Sequence, residues 1–216
     1  MKLLVLGISG RTGNLVAREA LKRGFKVTGI ARDKSKVRID GAEIVEGTPY
    51  DIETVRTAID GCEAVVSTLS LFPASQGIFS RIKTPLDVMS VSIQNVVTLM
   101  KEKGIKRIVL MTALGVGDSA REIPWLFSLF MKMSNIRHAY ADHALQEKIL
   151  EDSGLDWTIV RPAMLTDKNE DVSVLYKIKD EGKLKTYISR NAVANFILDA
   201  IEKGEFIEQK PGVSNK

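Results

Sequence analysis

Short apolar runs alternate with longer amphipathic stretches along most of this chain. Each run is nearly continuous in Leu, Val and Ile, which is typical of a strand that is buried on both faces of a sheet. The runs predict strands at Leu3–Leu6, Lys26–Ile30, Glu43–Glu46, Ala64–Thr68, Arg107–Met111 and Asp156–Val160.

The stretches between these runs carry apolar side chains near helical spacing, and a glycine follows most of them. Glycine is a common stop signal for a helix. The pattern predicts helices at Thr12–Lys22, Ile52–Ile59, Pro85–Lys103, His138–Asp152 and Ala192–Ile201.

Regular alternation of strand and helix predicts an α/β fold, in which a doubly wound parallel sheet carries helices on both faces. The chain has no linker-like or repeated segment, so we expect residues 1–216 to form a single domain. Two less regular stretches, Leu71–Thr84 and Leu114–Arg137, each follow a strand end. Because ligands of such sheets bind at the carboxyl ends of the strands, these stretches are candidate walls of a substrate pocket. The alternative is that they are ordinary surface loops and short helices.

A glycine-rich turn directly follows the first strand and opens the first predicted helix, with the sequence GISGRTG. Gly7 permits a sharp turn, Gly10 leaves room for a pyrophosphate beside the backbone, and Gly13 lets the helix pack closely on the strand. The N–H groups of the helix then face the phosphates. In this context the spacing Gly-x-x-Gly-x-x-Gly predicts a Rossmann-type domain that binds a dinucleotide.

The residue after the second strand indicates which dinucleotide is bound. NAD sites usually carry an acid here that holds the ribose 2′-hydroxyl, whereas this chain has Arg32. A guanidinium can bind a 2′-phosphate in a bidentate way, so Arg32 predicts NADP(H), and Arg11 can approach the same phosphate. The alternative is a solvated surface turn, in which Asp33 caps the turn or pairs with a neighbouring base. Ser9 and Thr12 can add hydroxyl donors to the phosphates.

Composition narrows the classes of partner. The net charge is +4, but Lys and Arg are interspersed with acids, so we expect an anionic small molecule rather than nucleic acid. One cysteine and two histidines cannot build a disulfide within the chain or a typical zinc site, which fits a cytoplasmic protein without a metal. The apolar stretch Ile123–Met133 is too short to cross a bilayer, so we expect no membrane segment. We expect a monomer or a weak dimer.

Several motifs together resemble the atypical short-chain dehydrogenase/reductase family. They are the glycine turn, the Arg32-Asp33 pair, the segment SGLDWTIVRP at residues 153–162, and Ile188-Ser189-Arg190. Within that family the chain is most similar to the small NAD(P)H-binding proteins related to biliverdin-IXβ/flavin reductase. The resemblance covers nearly the whole chain.

This resemblance implies a set of cofactor contacts. Arg32 and Lys36 match residues that bind the 2′-phosphate. Thr48 stands where the family often has an Asp at the adenine, so adenine recognition is either weaker or carried by the backbone. The remaining implied contacts lie along the dinucleotide and beside the nicotinamide, at Leu69, Ser70, Pro162, Met164 and Leu165.

The acid–base residues of typical short-chain dehydrogenases are incomplete in this chain. Counting back from Arg161-Pro162, the Lys position of the Tyr-x-x-x-Lys arrangement falls on His143 and the Tyr position on Ala139. The Ser position falls on Thr112 or the residue after it. The resemblance therefore implies that His143 lies near the nicotinamide ribose, where it binds a hydroxyl or donates a proton, with Thr112 beside it. The alternative is a helical His with a local structural partner.

These features support a reductase that transfers hydride from NADPH to a planar acceptor such as a flavin or quinone. Such an acceptor needs little proton machinery, because positioning supplies much of the rate. The alternative is a non-catalytic NADP(H)-binding redox sensor similar to the NmrA-like regulators. A sugar-nucleotide epimerase is disfavoured because the Tyr and Lys are absent. For the reductase, we expect Leu71–Thr84 and Ile123–Met133, with Trp125, to form an apolar wall over the nicotinamide, or else a buried core helix.

Overall fold

The computed structural model describes residues 1–71, 82, 84–123, 129, 131, 133–168, 173–178 and 183–216. Its strands are β1 (Lys2–Leu6), β2 (Lys26–Ala31), β3 (Ala42–Glu46), β4 (Ala64–Ser67), β5 (Arg107–Met111), β6 (Asp156–Pro162), β7 (Met164–Thr166), β8 (Val174–Lys177), β9 (Tyr187–Ser189) and β10 (Gly212–Asn215). Its numbered helices are α1 (Arg11–Lys22), α2 (Ile52–Ala58), α3 (Val88–Lys103), α4 (Ile136–Glu151) and α5 (Arg190–Glu202).

The central sheet of the described residues has eight strands in the order β3-β2-β1-β4-β5-β6-β10-β8. From β3 to β10 every neighbouring pair is parallel, and β8 runs antiparallel to β10. The order in which successive strands join the sheet reverses between β1 and β4, which is the point where such sheets bind ligands. The predicted Rossmann-type doubly wound sheet is therefore confirmed.

Two apolar layers cover the faces of the sheet. Side chains of α1 and α5 pack with Leu3 and Val5 on one face. Those of α2, α3 and α4 pack with Leu4 and Leu6 on the other. All four of these β1 side chains are fully buried, which explains why the strand has an unbroken apolar run.

The strands and helices expected from the apolar pattern are all present with small shifts at their ends. Helix α3 begins at Val88 instead of Pro85, and α4 begins at Ile136 instead of His138. The strands β7 to β10 were not expected. In particular, β10 contains Gly212, Ser214 and Asn215, which are poor strand formers, yet it is fully buried between β6 and β8. Pairing on both sides outweighs its weak intrinsic preference.

No helix among the described residues is long and apolar enough to cross a membrane.

Candidate functional site

The glycine turn has the backbone that a dinucleotide-binding loop requires. Gly7 has a φ of 79°, and a Cβ added there would lie 2.9 Å from the carbonyl oxygen of Thr68. A Cβ added at Gly13 would overlap the Gly7 carbonyl and lie 2.7 Å from Thr68 Oγ1. Gly7 and Gly13 are therefore required because α1 packs closely against the ends of β1 and β4, which leaves no room for a Cβ.

Gly10 differs from the other two glycines because its outer side is open. Its N–H donates to the Gly7 carbonyl at 2.8 Å, and an added Cβ would meet only that oxygen, at 3.1 Å. As the N-cap of α1, Gly10 supplies no side-chain acceptor, and the first turn of α1 holds no acidic residue. By contrast, Asp51 caps α2 and Ser189 caps α5. The first turn of α1 therefore fits an anionic ligand such as a pyrophosphate.

The residues expected at the 2′-phosphate follow the end of β2. Arg32 and Lys36 are both exposed there. Asp33 pairs with Lys36 at 2.8 Å and accepts hydrogen bonds from the backbone N–H and the hydroxyl of Ser35. The Lys36 contact and the Ser35 bonds lower the pKa of Asp33 to about 2. Asp33 thus both caps the local turn and pairs with a base, and the neighbouring Arg32 is exposed.

Arg11 points in a different direction from the one expected. Its Nη1 lies 2.7 Å from Asp167 Oδ2, and the other oxygen of Asp167 lies 2.6 Å from Arg190 Nη1. Arg11 therefore lines a cleft between the first turns of α1 and α5, together with Ser9 and Gly10. The expected approach of Arg11 to the 2′-phosphate beside Arg32 would require it to leave Asp167.

Thr48 follows β3, and Thr12 lies in the first turn of α1. Thr48 is half-buried, and its hydroxyl accepts from the backbone N–H of Tyr50 at 3.3 Å. The carbonyls of Pro49 and Tyr50 are held by the side-chain amide of Asn95. Thr12 is buried in the first turn of α1. The segment after Thr48 is thus fixed by hydrogen bonds from side chains to its backbone.

Thr112 follows β5 and belongs to a buried network of charges. Its hydroxyl donates to Glu147 Oε1 at 2.8 Å. Arg161 donates to both oxygens of Glu147, and these two side chains are each only 4% exposed. Arg161 also reaches the exposed Asp118 at 2.5 Å. Because the carboxylate only accepts, the single hydrogen of the Thr112 hydroxyl is committed to Glu147.

Glu147 and Arg161 are not among the residues expected from the sequence as site residues. Glu147 lies one helical turn after His143 on α4, and Arg161 lies in the SGLDWTIVRP segment. The spacing of four residues places Glu147 on the same side of α4 as His143, which is the signal that could have found it.

His143 is buried on the inner side of α4. Its Nδ1 lies 3.0 Å from Gln146 Nε2. Burial lowers the pKa of His143 to about 4, so the imidazole is neutral near neutral pH. A neutral ring can hydrogen-bond a ribose hydroxyl, but it is a poor source of a proton at that pH.

Tyr140 does not replace the missing Tyr of the family. Its hydroxyl donates to the Leu114 carbonyl at 3.0 Å, and burial raises its pKa. The position where relatives carry Tyr is Ala139, which is buried. Tyr140 therefore fixes the segment after β5.

The implied nicotinamide contacts lie at the ends of β4 and β6, which share one edge of the sheet. Pro162 is buried at the end of β6, Leu165 is half-buried and Met164 is 63% exposed. Leu69 is half-buried and Ser70 is exposed after β4. Most of the expected wall, including Trp125 and residues 72–81 and 124–128, lies outside the described residues.

The first turn of α1 has no side-chain cap, follows a glycine-rich turn and lies where the strand order of the parallel sheet reverses. These features are typical of an NAD(P)-binding protein of the Rossmann type. The chain belongs to the family described as NAD(P)H-binding, whose model matches residues 7–204. The cofactor is therefore of the NAD(P)H class, in agreement with the resemblance to atypical short-chain dehydrogenases/reductases.

Two plant proteins are similar over most of this chain. An uncharacterized chloroplastic protein of Arabidopsis thaliana is 28% identical over 95% of this chain and 66% of its own length. Sanguinarine reductase of Eschscholzia californica is 27% identical over 94% of this chain and 84% of its own length. The chain therefore spans about two thirds of the first of these relatives.

A solved structure agrees on the fold. A short-chain dehydrogenase/reductase of Veillonella parvula in complex with NADP has a TM-score of 0.80 and is 16% identical, covering 99% of this chain and 94% of that one. At this identity the likeness establishes the arrangement of helices and strands.

Proposed function

We propose that the protein is a reductase that transfers hydride from NADPH to a planar acceptor such as a flavin or quinone. The observation that carries the proposal is the combination of a phosphate-binding turn with a hydride end that offers little acid. The groups that the family resemblance assigns to that end are a neutral His143 and a Thr112 whose hydrogen is held by Glu147, and Tyr140, on the same helix as His143, is bonded to a backbone carbonyl. The similarity to sanguinarine reductase supports a reductase in general.

Each group of residues has a proposed role in binding the cofactor. The first turn of α1 binds the pyrophosphate, and Arg32 with Lys36 binds the 2′-phosphate. Thr112 and His143 orient the ribose and the nicotinamide. When bound, NADPH supplies a hydride that carries both electrons.

The acceptor side of the site is proposed to hold a flat molecule and to remain open to solvent at one edge. Met164 and Leu165 present apolar surface at the end of β6. The acceptor takes the hydride, and its second hydrogen arrives as a proton from solvent. Holding donor and acceptor face to face then provides most of the catalysis.

The test is oxidation of NADPH against a panel of flavins, quinones and redox dyes, followed by the loss of NADPH absorbance. Turnover well above the reaction of free NADPH supports the reductase. Tight binding of NADPH with no turnover on any acceptor would overturn it and favour the redox sensor.

A matched variant ties any turnover to the cofactor site. Gly10→Val fills the open side of the turn, and Gly10 already has a φ of −79°, which any residue adopts. The variant should fold and lose turnover together with NADPH binding. Unchanged turnover in Gly10→Val would show that the oxidation occurs elsewhere.

A further inference from the structure

One cleft beside the glycine turn carries more positive than negative charge. It has a volume of about 430 Å³ and lies between the first turns of α1 and α5. The charged side chains that line it are Arg11, Lys168, Arg190 and a single acid, Asp167.

Asp167 bridges the two arginines. One of its oxygens contacts Arg11 at 2.7 Å and the other contacts Arg190 at 2.6 Å. Arg190 is only 10% exposed in its side chain, whereas Arg11 and Asp167 are 53% and 61% exposed. Burial lowers the pKa of Arg190, and the nearby charge of Arg11 lowers it further. Two neighbouring guanidiniums therefore share one carboxylate that solvent can reach.

The same cleft opens onto the phosphate turn. Ser9 and Gly10 line it, and the first turn of α1 has no acidic residue or side-chain cap. Thr166 also lines it, and its buried hydroxyl oxygen has no hydrogen-bond partner within the described part of the chain. An anion larger than one carboxylate would find donors here on several sides.

We propose that Asp167 is an internal anion that occupies the Arg11–Arg190 pair in the free protein, and that the cofactor pyrophosphate takes its place. Asp167 directly follows β7, and Met164 at the start of β7 is an implied neighbour of the nicotinamide. Exchange of Asp167 for pyrophosphate therefore links binding of the phosphates to release of the segment that borders the hydride end. The inference rests on cofactor binding and is independent of the acceptor.

Calorimetric titration of NADP⁺ and of inorganic pyrophosphate, without any acceptor, tests the exchange. Asp167→Asn removes the competing charge and should tighten both ligands by about five-fold, the effect of removing ion pairs to a largely exposed carboxylate. Arg190→Gln should weaken both by about ten-fold. Asp167→Glu keeps the charge and should resemble the unaltered protein.

The matched control is Asp152→Asn, which removes an exposed carboxylate paired with Lys148 at 2.6 Å after α4. It should leave both affinities unchanged. The proposal is wrong if Asp167→Asn binds NADP⁺ with unchanged or lower affinity. Thermal unfolding of this variant checks that its fold is intact. If pyrophosphate alone gives no heat with any variant, the NADP⁺ titrations decide. Because no acceptor is present, a protein that binds but never turns over would still yield this answer.

Discussion

Thr112 donates its hydroxyl hydrogen to the buried carboxylate of Glu147 at 2.8 Å. The hydroxyl can therefore only accept a hydrogen bond from any further partner. A ribose hydroxyl or a carboxamide N–H would satisfy it, whereas a developing negative charge on the acceptor would not. This polarity separates Thr112 from the Ser of typical short-chain dehydrogenases, whose position falls by resemblance on Thr112 or the residue after it.

Removing one partner of the buried Glu147–Arg161 pair should strongly destabilise the fold. Glu147→Leu leaves a buried Arg161 without its main counter-charge, which should lower the free energy of unfolding by about 3–5 kcal/mol. Urea unfolding measures the change. The control is Glu102→Leu, which breaks an exposed pair with Arg56 at 2.8 Å and should cost less than about 1 kcal/mol. Equal effects of the two substitutions would contradict the assignment.

Arg32 should decide the preference for NADPH. Arg32→Ala removes charge-assisted hydrogen bonds worth about 1.5–3 kcal/mol each, so binding of NADPH should weaken ten-fold or more while that of NADH stays nearly constant. The control is Lys26→Ala. Lys26 is exposed at the start of β2, at the end opposite to Arg32, so this substitution should change neither affinity. Equal affinity for both cofactors in the unaltered protein would rule out this role.

His143 should make the fold sensitive to acid. Burial lowers its pKa to about 4 from the ordinary value of about 6.5, so between these pH values the unfolded chain binds a proton that the folded protein does not. The contribution of His143 to the free energy of unfolding is constant above pH about 6.5. It decreases by up to about 3 kcal/mol as the pH falls toward 4. Between pH about 4 and 6.5, the free energy of unfolding should therefore fall more steeply with decreasing pH in the unaltered protein than in His143→Gln. Parallel curves would show that the imidazole titrates normally.

The second and third glycines of the turn, Gly10 and Gly13, should respond differently to a methyl group. Gly13→Ala forces an atom into the Gly7 carbonyl and should destabilise the fold, by about 2 kcal/mol or more. Gly10→Ala meets only one oxygen at 3.1 Å and should remain folded. Thermal unfolding of both variants checks the contrast. A Gly13→Ala protein as stable as the parent would contradict the packing described for α1.

The sequence alone predicts the parts of this fold that local pattern controls. The apolar run Leu3–Leu6 and the glycines after it identify β1, the turn and α1, because burial and backbone geometry leave few other residues possible. The position of Arg32 could also be predicted, because it directly follows the last residue of β2.

The remainder depends on contacts between distant segments. Asp167 lies 156 residues from Arg11, and no local pattern signals that they meet. Strand β10 is formed from weak strand residues because β6 and β8 lie on either side of it. The direction of the Arg11 side chain and the partner of Thr112 likewise follow from tertiary packing.

Transfer of hydride is tested most directly in a single turnover. NADPH-loaded protein is mixed with the best acceptor from the panel, using NADPH that carries either hydrogen or deuterium at the transferable position of the nicotinamide. A reductase that holds the two rings face to face should oxidise the deuterated cofactor several-fold more slowly. The same rate with both cofactors, or bound NADPH that no acceptor oxidises, would contradict the account.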